Sequence, residues 1–189
     1  MDLRVDPTLV SVDVETAGPE PGAYAMLSLG ACLVADPDRA FYVELRPTSD
    51  RVLPEALAVS GLSMDALRAS GTPPERAMAD LEAWLREVTP PPRQPVMVGF
   101  NVAFDWMFVN AGFWRCLGRN PFGHAALDLK ALYMGVTGCA WQETGLDRVA
   151  ARYGIASPLT HHAGEDARYQ AHLMRHILAE RADRKGATT

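Results

Sequence analysis

Leu9-Val10-Ser11-Val12-Asp13-Val14-Glu15-Thr16 is the stretch on which both fold and chemistry turn. Its valines favour extended backbone, because branching at Cβ suits a pleated sheet better than the crowded turn of a helix. Side chains two residues apart in a strand point to the same face. Asp13 and Glu15 therefore stand side by side in an otherwise apolar strand. Two such carboxylates repel each other unless a cation neutralises them, and hard oxygen ligands suit Mg2+ or Mn2+. A strand face open to water accounts for the pair equally well, so a metal site requires further acids to converge.

Outward from that strand, Ala17-Gly18-Pro19-Glu20-Pro21-Gly22 supplies turn chemistry. Residues 26–35 are almost continuously apolar and predict a buried strand, and Phe41-Tyr42-Val43-Glu44-Leu45 alternates as a third. Short helices are expected over 54–59 and 63–68, the second capped by Ser63. Pro73-Pro74 opens a helix over 76–88, with Ala77, Leu81, Trp84, Leu85 and Val88 along one face; Pro90-Pro91-Pro92 stops it. A fourth buried strand over 96–100 leads into a helix over 102–115, and further helices are expected over 127–134, 146–153 and 165–181. Residues 1–181 read as one domain and 182–189 as a polar tail. Three leading strands followed by mixed strands and helices define an α/β fold whose sheet is partly antiparallel.

The chain has 189 residues, 48% of them hydrophobic and 22% charged, which excludes disorder as its main character. Eighteen Lys and Arg against 23 Asp and Glu leave a net charge of −5 and a pI near 5.5. Such a chain does not coat nucleic acid through its overall charge; any contact with phosphates is local or carried by bound metal. No stretch approaches the roughly 20 apolar residues that span a bilayer. The first ten residues lack the basic and apolar segments of a signal peptide. Cys32, Cys116 and Cys139 form no CxxC pair, so neither a disulfide framework nor a thiolate zinc site is indicated. The expectation is a soluble, reduced, cytoplasmic protein.

Two further acids have suitable settings. Asp105 lies in Gly99-Phe100-Asn101-Val102-Ala103-Phe104-Asp105, just beyond a buried strand, and Asp166 opens the last helix in His161-His162-Ala163-Gly164-Glu165-Asp166-Ala167. Either alone reads as an acid complementing a helix dipole. Together, in this order and with a histidine five residues before the last Asp, the motifs Asp13-x-Glu15-Thr16, Asn101-x-x-Phe104-Asp105 and His161-x-x-x-x-Asp166-Ala167 resemble those of the DEDDh 3′–5′ exonucleases. These are the DnaQ-like branch of the RNase H fold. Asp13-Val14-Glu15-Thr16-Ala17-Gly18, Leu53-Pro54-Glu55-Ala56-Leu57-Ala58 and Arg119-Asn120-Pro121-Phe122 are similar to its ribonuclease T-like members.

The resemblance, which spans residues 9–178, implies an RNase H-like mixed sheet, with three leading antiparallel strands and then parallel ones, flanked by helices. It implies two Mg2+ or Mn2+ ions, about 3.5–4 Å apart as such pairs are. Asp13, Glu15 and Asp166 would hold one ion, with Asp13 bridging to a second helped by Asp105. His161 would take a proton from the attacking water, histidine being the residue suited to proton exchange near neutral pH. The product would be a nucleoside 5′-monophosphate released from a single-stranded 3′ end, in RNA processing by preference. A DNA exonuclease of proofreading or repair type is the alternative, and a non-catalytic single-strand-binding module on the same fold the second. A homodimer is the implied assembly.

His162 lies four residues before Asp166 and competes with His161 for the base position, though the family spacing favours His161. Phe104 is placed to face the terminal base and Phe122 a base near the entrance, with Asn101 beside them and the backbone of Thr16 and Ala17 near the terminal sugar. Pro19 and Val59 stand where ribonuclease T carries base-stacking phenylalanines, so its base preference does not transfer. Arg115, Arg119, Lys130, Arg148 and Arg152 either line the strand's path or are scattered surface charges. His172 and His176, four apart on the last helix, raise a zinc alternative, but the glutamate of HExxH is absent because Leu173 follows His172.

Overall fold

The computed structural model describes residues 6, 8–155 and 160–186. Residues 1–5 of the leading segment and 187–189 of the expected tail lie outside the described residues. Five strands form one sheet: β1 (Leu9–Thr16), β2 (Met26–Leu33), β3 (Ala40–Glu44), β4 (Val96–Gly99) and β5 (Ala126–Asp128), in the order β3-β2-β1-β4-β5. The β1–β2 and β2–β3 pairs are antiparallel, and the β1–β4 and β4–β5 pairs parallel. The sheet is thus mixed in the order expected. Around it pack α1 (Pro54–Ser60), α2 (Met64–Ser70), α3 (Pro74–Val88), α4 (Ala103–Leu117), α5 (Leu129–Thr137), α6 (Leu146–Arg152) and α7 (Ala163–Gly186), with a 3-10 turn at Trp141–Glu143.

The alternation of β1 sorts its side chains between two cores. Val10, Val12 and Val14 join Ala77, Met78, Leu81 and Leu85 of α3 and Val109 and Phe113 of α4. Leu9 belongs to the opposite layer, with Leu129 and Tyr133 of α5, Val149 of α6, and Ala167, Ala171 and Met174 of α7. Asp13 and Glu15 share the parity of Leu9, so they face the side covered by α7. Burying the three valines on one face thereby fixes where the two acids point.

Gly30 of β2 sits opposite Asp13 in the ladder. A Cβ there would overlap the carbonyl of Ala163 and the amide of Gly164, so the start of α7 lies directly on the sheet beside Asp13. Only glycine permits that approach.

The differences from the sequence reading that bear on the site lie at β5 and α7. Residues 127–128 pair with Val98 and Gly99 as strand β5, because an open sheet edge captures them; the helix starts only after Asp128, whose carboxylate accepts from the Ala131 N–H at 2.9 Å. α7 begins two residues before the expected 165 and runs on to Gly186, into the segment read as a tail. Ser63 caps α2 as expected, accepting from the Ala66 N–H at 3.3 Å.

Replacing Gly30 with alanine should cost about 1–3 kcal/mol through overpacking against backbone. Urea denaturation of Gly30→Ala measures this; a midpoint equal to wild type would show that α7 does not depend on the glycine.

Candidate active site

Pairing between β1 and β4 ends at Ser11–Val98, while β1 continues to Thr16. The strand's far half therefore has a free edge in the crevice beyond the carboxyl ends of the parallel strands, where open α/β sheets place their ligands. Asp105 enters from the first turn of α4 and covers that edge: its Oδ1 accepts the Val14 N–H at 3.0 Å, both groups being buried. Asp166, in the first turn of α7, accepts from the Thr160 N–H at 2.9 Å, the Thr160 hydroxyl at 3.2 Å and the His161 N–H at 2.9 Å. A ring nitrogen of His161 and carboxylate oxygens of Glu15 and Asp166 all lie within 4.8 Å of one another.

Asp13 completes the group. Its Oδ1 accepts from Gln170 Nε2 at 2.7 Å, and Gln170 Oε1 accepts the Phe100 N–H at 2.8 Å. One buried glutamine thus ties an acid of β1 to the end of β4 from a seat on α7. Asp128 does similar work next door, its Oδ2 accepting the Val102 N–H at 2.8 Å and so fixing the turn that delivers Asp105. Sequence reasoning missed both. Gln170 carries a weak signal, four residues after Asp166 and hence on the same helix face; Asp128 was hidden inside a segment read as helix.

The electrostatics are those of an acid cluster. Burial, then Asp105, Glu15 and Asp166, push the Asp13 carboxyl well above its ordinary range. Glu15 is raised to about 7 by burial and then by Asp166 and Asp105. Asp105 is also raised to about 7, by burial first, against the opposing hydrogen bond from Val14. Among the described residues no lysine or arginine pairs with any of the four. Oxygen donors that share a crevice and lack an organic counter-cation fit hard divalent ions such as Mg2+ or Mn2+.

The histidines separate. His161 adopts a left-handed backbone, φ 56°, which costs a residue with a Cβ about 1–2 kcal/mol and is held here by its N–H bond to Asp166. His162 stacks instead on Tyr42 of β3, ring centroids 4.3 Å apart, and does not join the cluster. His176 stacks on Tyr153 at 5.5 Å, and neither it nor His172 belongs to a three-ligand group among the described residues.

Other expected contacts fare differently. Asn101 is exposed at the tip of the β4–α4 turn with φ 59°. Phe104 is half-buried, 5.4 Å from Phe108 between centroids. Phe122 is a correction: it is only 3% exposed, edge-on to Phe113 at 6.2 Å in the α3–α4 core, and offers no face to a base. Thr16 and Ala17 are buried; the Thr16 hydroxyl donates to the Gly18 carbonyl, and the Ala17 N–H and carbonyl are engaged with Ala25 and Leu53. Arg119 is clasped by Glu82 and Arg152 by Glu180, Arg148 lies 3.8 Å from Glu143, and Arg115 donates to the Pro21 carbonyl. Those four are committed elsewhere. Cys32 is buried, Cys116 and Cys139 are half-buried, and all three are free thiols. No helix among the described residues is long and apolar enough to cross a membrane.

A family model described as an exonuclease, of the RNase T type, matches residues 10–174. The Escherichia coli 3′-5′ DNA exonuclease Cap18 is 44% identical over 179 residues, covering 93% of this chain and 94% of that protein. Among solved structures, the nuclease domain of 3′hExo, a DEDDh family member bound to rAMP, superposes with a TM-score of 0.77 at 12% identity, over 91% of this chain and 92% of that one. E. coli exonuclease I in complex with a dT13 oligonucleotide gives 0.71 at 17% identity, over 95% of this chain and 42% of that one. The two structures establish likeness of fold. The chain belongs to this exonuclease family, as a 3′–5′ exonuclease.

A carboxyl with a raised pKa keeps its proton in the folded state where the unfolded chain has lost it. Stability then falls as pH rises from about 4, the ordinary carboxyl value, towards the value of about 7 reached by Glu15 and Asp105. In EDTA, thermal melts should show Tm declining between about pH 5 and 8, a decline that Glu15→Gln flattens and Mn2+ reverses. A Tm that climbs over that range and ignores Mn2+ would contradict the cluster. Gln170→Leu removes both of its hydrogen bonds and should weaken Mn2+ binding by about tenfold or more; calorimetric titration reads it, and wild-type affinity would deny Gln170 its role in holding Asp13.

Proposed function

We propose that Asp13, Glu15, Asp105 and Asp166 hold two Mg2+ or Mn2+ ions, and that the chain removes nucleoside 5′-monophosphates from single-stranded DNA 3′ ends. The observation that carries the reading is the convergence of these four acids from β1, α4 and α7 beside the imidazole of His161, with no lysine or arginine paired to them among the described residues. When bound, the ions supply positive charge opposite the scissile phosphate and lower the cost of ionising water. His161 takes the proton from the attacking water at its free ring nitrogen and, being exposed, passes it to solvent. Its left-handed backbone aims the ring inward, while His162 is kept aside by Tyr42. Gln170 holds one oxygen of Asp13 and leaves the other for a cation. Phe104 meets the terminal base, and Asn101, at the neighbouring turn, meets a phosphate or sugar oxygen.

DNA is favoured over RNA because the 44% identical relative is a DNA exonuclease by name. RNA is the second reading, supported by the ribonuclease T-like segments such as Asp13-Val14-Glu15-Thr16-Ala17-Gly18. A second copy of the chain is the partner those segments suggest; the catalytic groups named here all come from one chain.

The test is a time course on matched single-stranded DNA and RNA and on a duplex with a 3′ overhang, in Mg2+ and in Mn2+. Single-stranded DNA and the overhang should be shortened one nucleotide at a time, RNA more slowly. His161→Ala should lose about 10²–10⁴ in rate, and Asp13→Asn at least as much. RNA degraded as fast as DNA would overturn the DNA assignment, and undiminished cleavage by Asp13→Asn would remove the site.

A further inference from the structure

Trp141 stands out from the 3-10 turn with 49% of its surface exposed. The Lys130 ammonium, from the first turn of α5, lies 4.4 Å from the centroid of its ring and 5.9 Å from that of Phe100. Phe100 directly follows β4, and its N–H is held by the same Gln170 side chain that donates to Asp13. A continuous line of contacts thus runs from the acid cluster through Phe100 and Lys130 to Trp141.

The charge of this line is distinctive. The arginines the sequence offered for a strand's path are tied to Glu82, Glu180, Glu143 or the Pro21 carbonyl, whereas Lys130 makes no ion pair among the described residues. The acid of the tryptophan's own turn, Glu143, is engaged by the Ala140 N–H, with Arg148 3.8 Å away. On a chain of net charge −5 this leaves a positive, aromatic step adjoining a negative pocket. Single-stranded nucleic acid fits it, since every base has a face to stack on tryptophan and every linkage a phosphate for an ammonium.

We propose that Trp141 and Lys130 form a subsite for the strand upstream of its 3′ end, one base stacking on the open face of Trp141 and a backbone phosphate meeting Lys130. This rests on the exonuclease function proposed above. The site grips the polymer without touching the bond that is cut, so its contribution falls on KM for long substrates.

Two substrates separate that contribution from catalysis: a single-stranded DNA of about twelve nucleotides, long enough to pass the step, and the p-nitrophenyl ester of thymidine 5′-monophosphate, too short to reach it. Trp141→Ala should raise KM for the oligonucleotide by about tenfold, with kcat unchanged. Trp141→Phe should restore most of the loss, and Lys130→Gln should raise KM and reduce its dependence on salt. All three should hydrolyse the ester at the wild-type rate, which also shows that they fold. An unchanged KM in Trp141→Ala and Lys130→Gln would overturn the subsite, as would an equal loss on both substrates. Wild-type protein that cuts neither substrate would overturn the function itself and the subsite with it, a result distinct from the subsite failing alone.

Discussion

Repulsion among Asp13, Glu15, Asp105 and Asp166 is the constraint around which the molecule is built. Like charges brought together in a poorly solvated crevice raise the free energy of the folded chain, so no local preference of strand or helix gathers them. They are held by contacts made elsewhere. Val10, Val12 and Val14 commit one face of β1 to α3 and α4, leaving Asp13 and Glu15 only the α7 side. Gly30 lets the start of α7 settle on the sheet at that level, and the early end of the β1–β4 ladder frees the Val14 N–H that Asp105 takes.

The groups that support these acids are neutral. Val14, Thr160 and His161 give backbone N–H donors and Gln170 an amide, which orient carboxylates without cancelling their charge. Outside the crevice the opposite policy holds. Arg152, with help from Tyr153 and Arg184, brings Glu180 down to about 2, and Arg119 lowers Glu82. Guanidinium groups thus pair with Glu180 and Glu82, whereas the central acids have no such partner among the described residues, which suits the cation binding proposed above.

Much of this was legible in the sequence. Period-two alternation in residues 9–16 placed two acids on one face, and the apolar runs at 26–35 and 96–100 marked the sheet's centre. What escaped depends on tertiary partners. Leu127 and Asp128 became strand only because β4 offered an edge, and Asp128 thereby gained the Val102 N–H. Gln170 has no chemistry of its own and acquires a role only once Phe100 and Asp13 stand on either side of it. Phe122 looked like a stacking platform because aromatic identity is visible in sequence and burial is not. Spacing to Asp166 favoured His161 over His162, but what holds His162 aside is Tyr42, which lies on a strand more than a hundred residues away in the chain.

Asp166 has a double employment. Its oxygens anchor the Thr160 and His161 amides that keep the imidazole in its unusual backbone conformation, and one of them also lies within 4.8 Å of a Glu15 carboxylate oxygen. In the mechanism proposed above, cation affinity and the aim of the proton acceptor are therefore mechanically entangled in one carboxylate. Removing it disables both at once, so its deletion and that of His161 cannot be additive. The individual worth of cation and imidazole has to be apportioned through Asp105, whose carboxylate is bonded to the Val14 N–H and not to the histidine's segment.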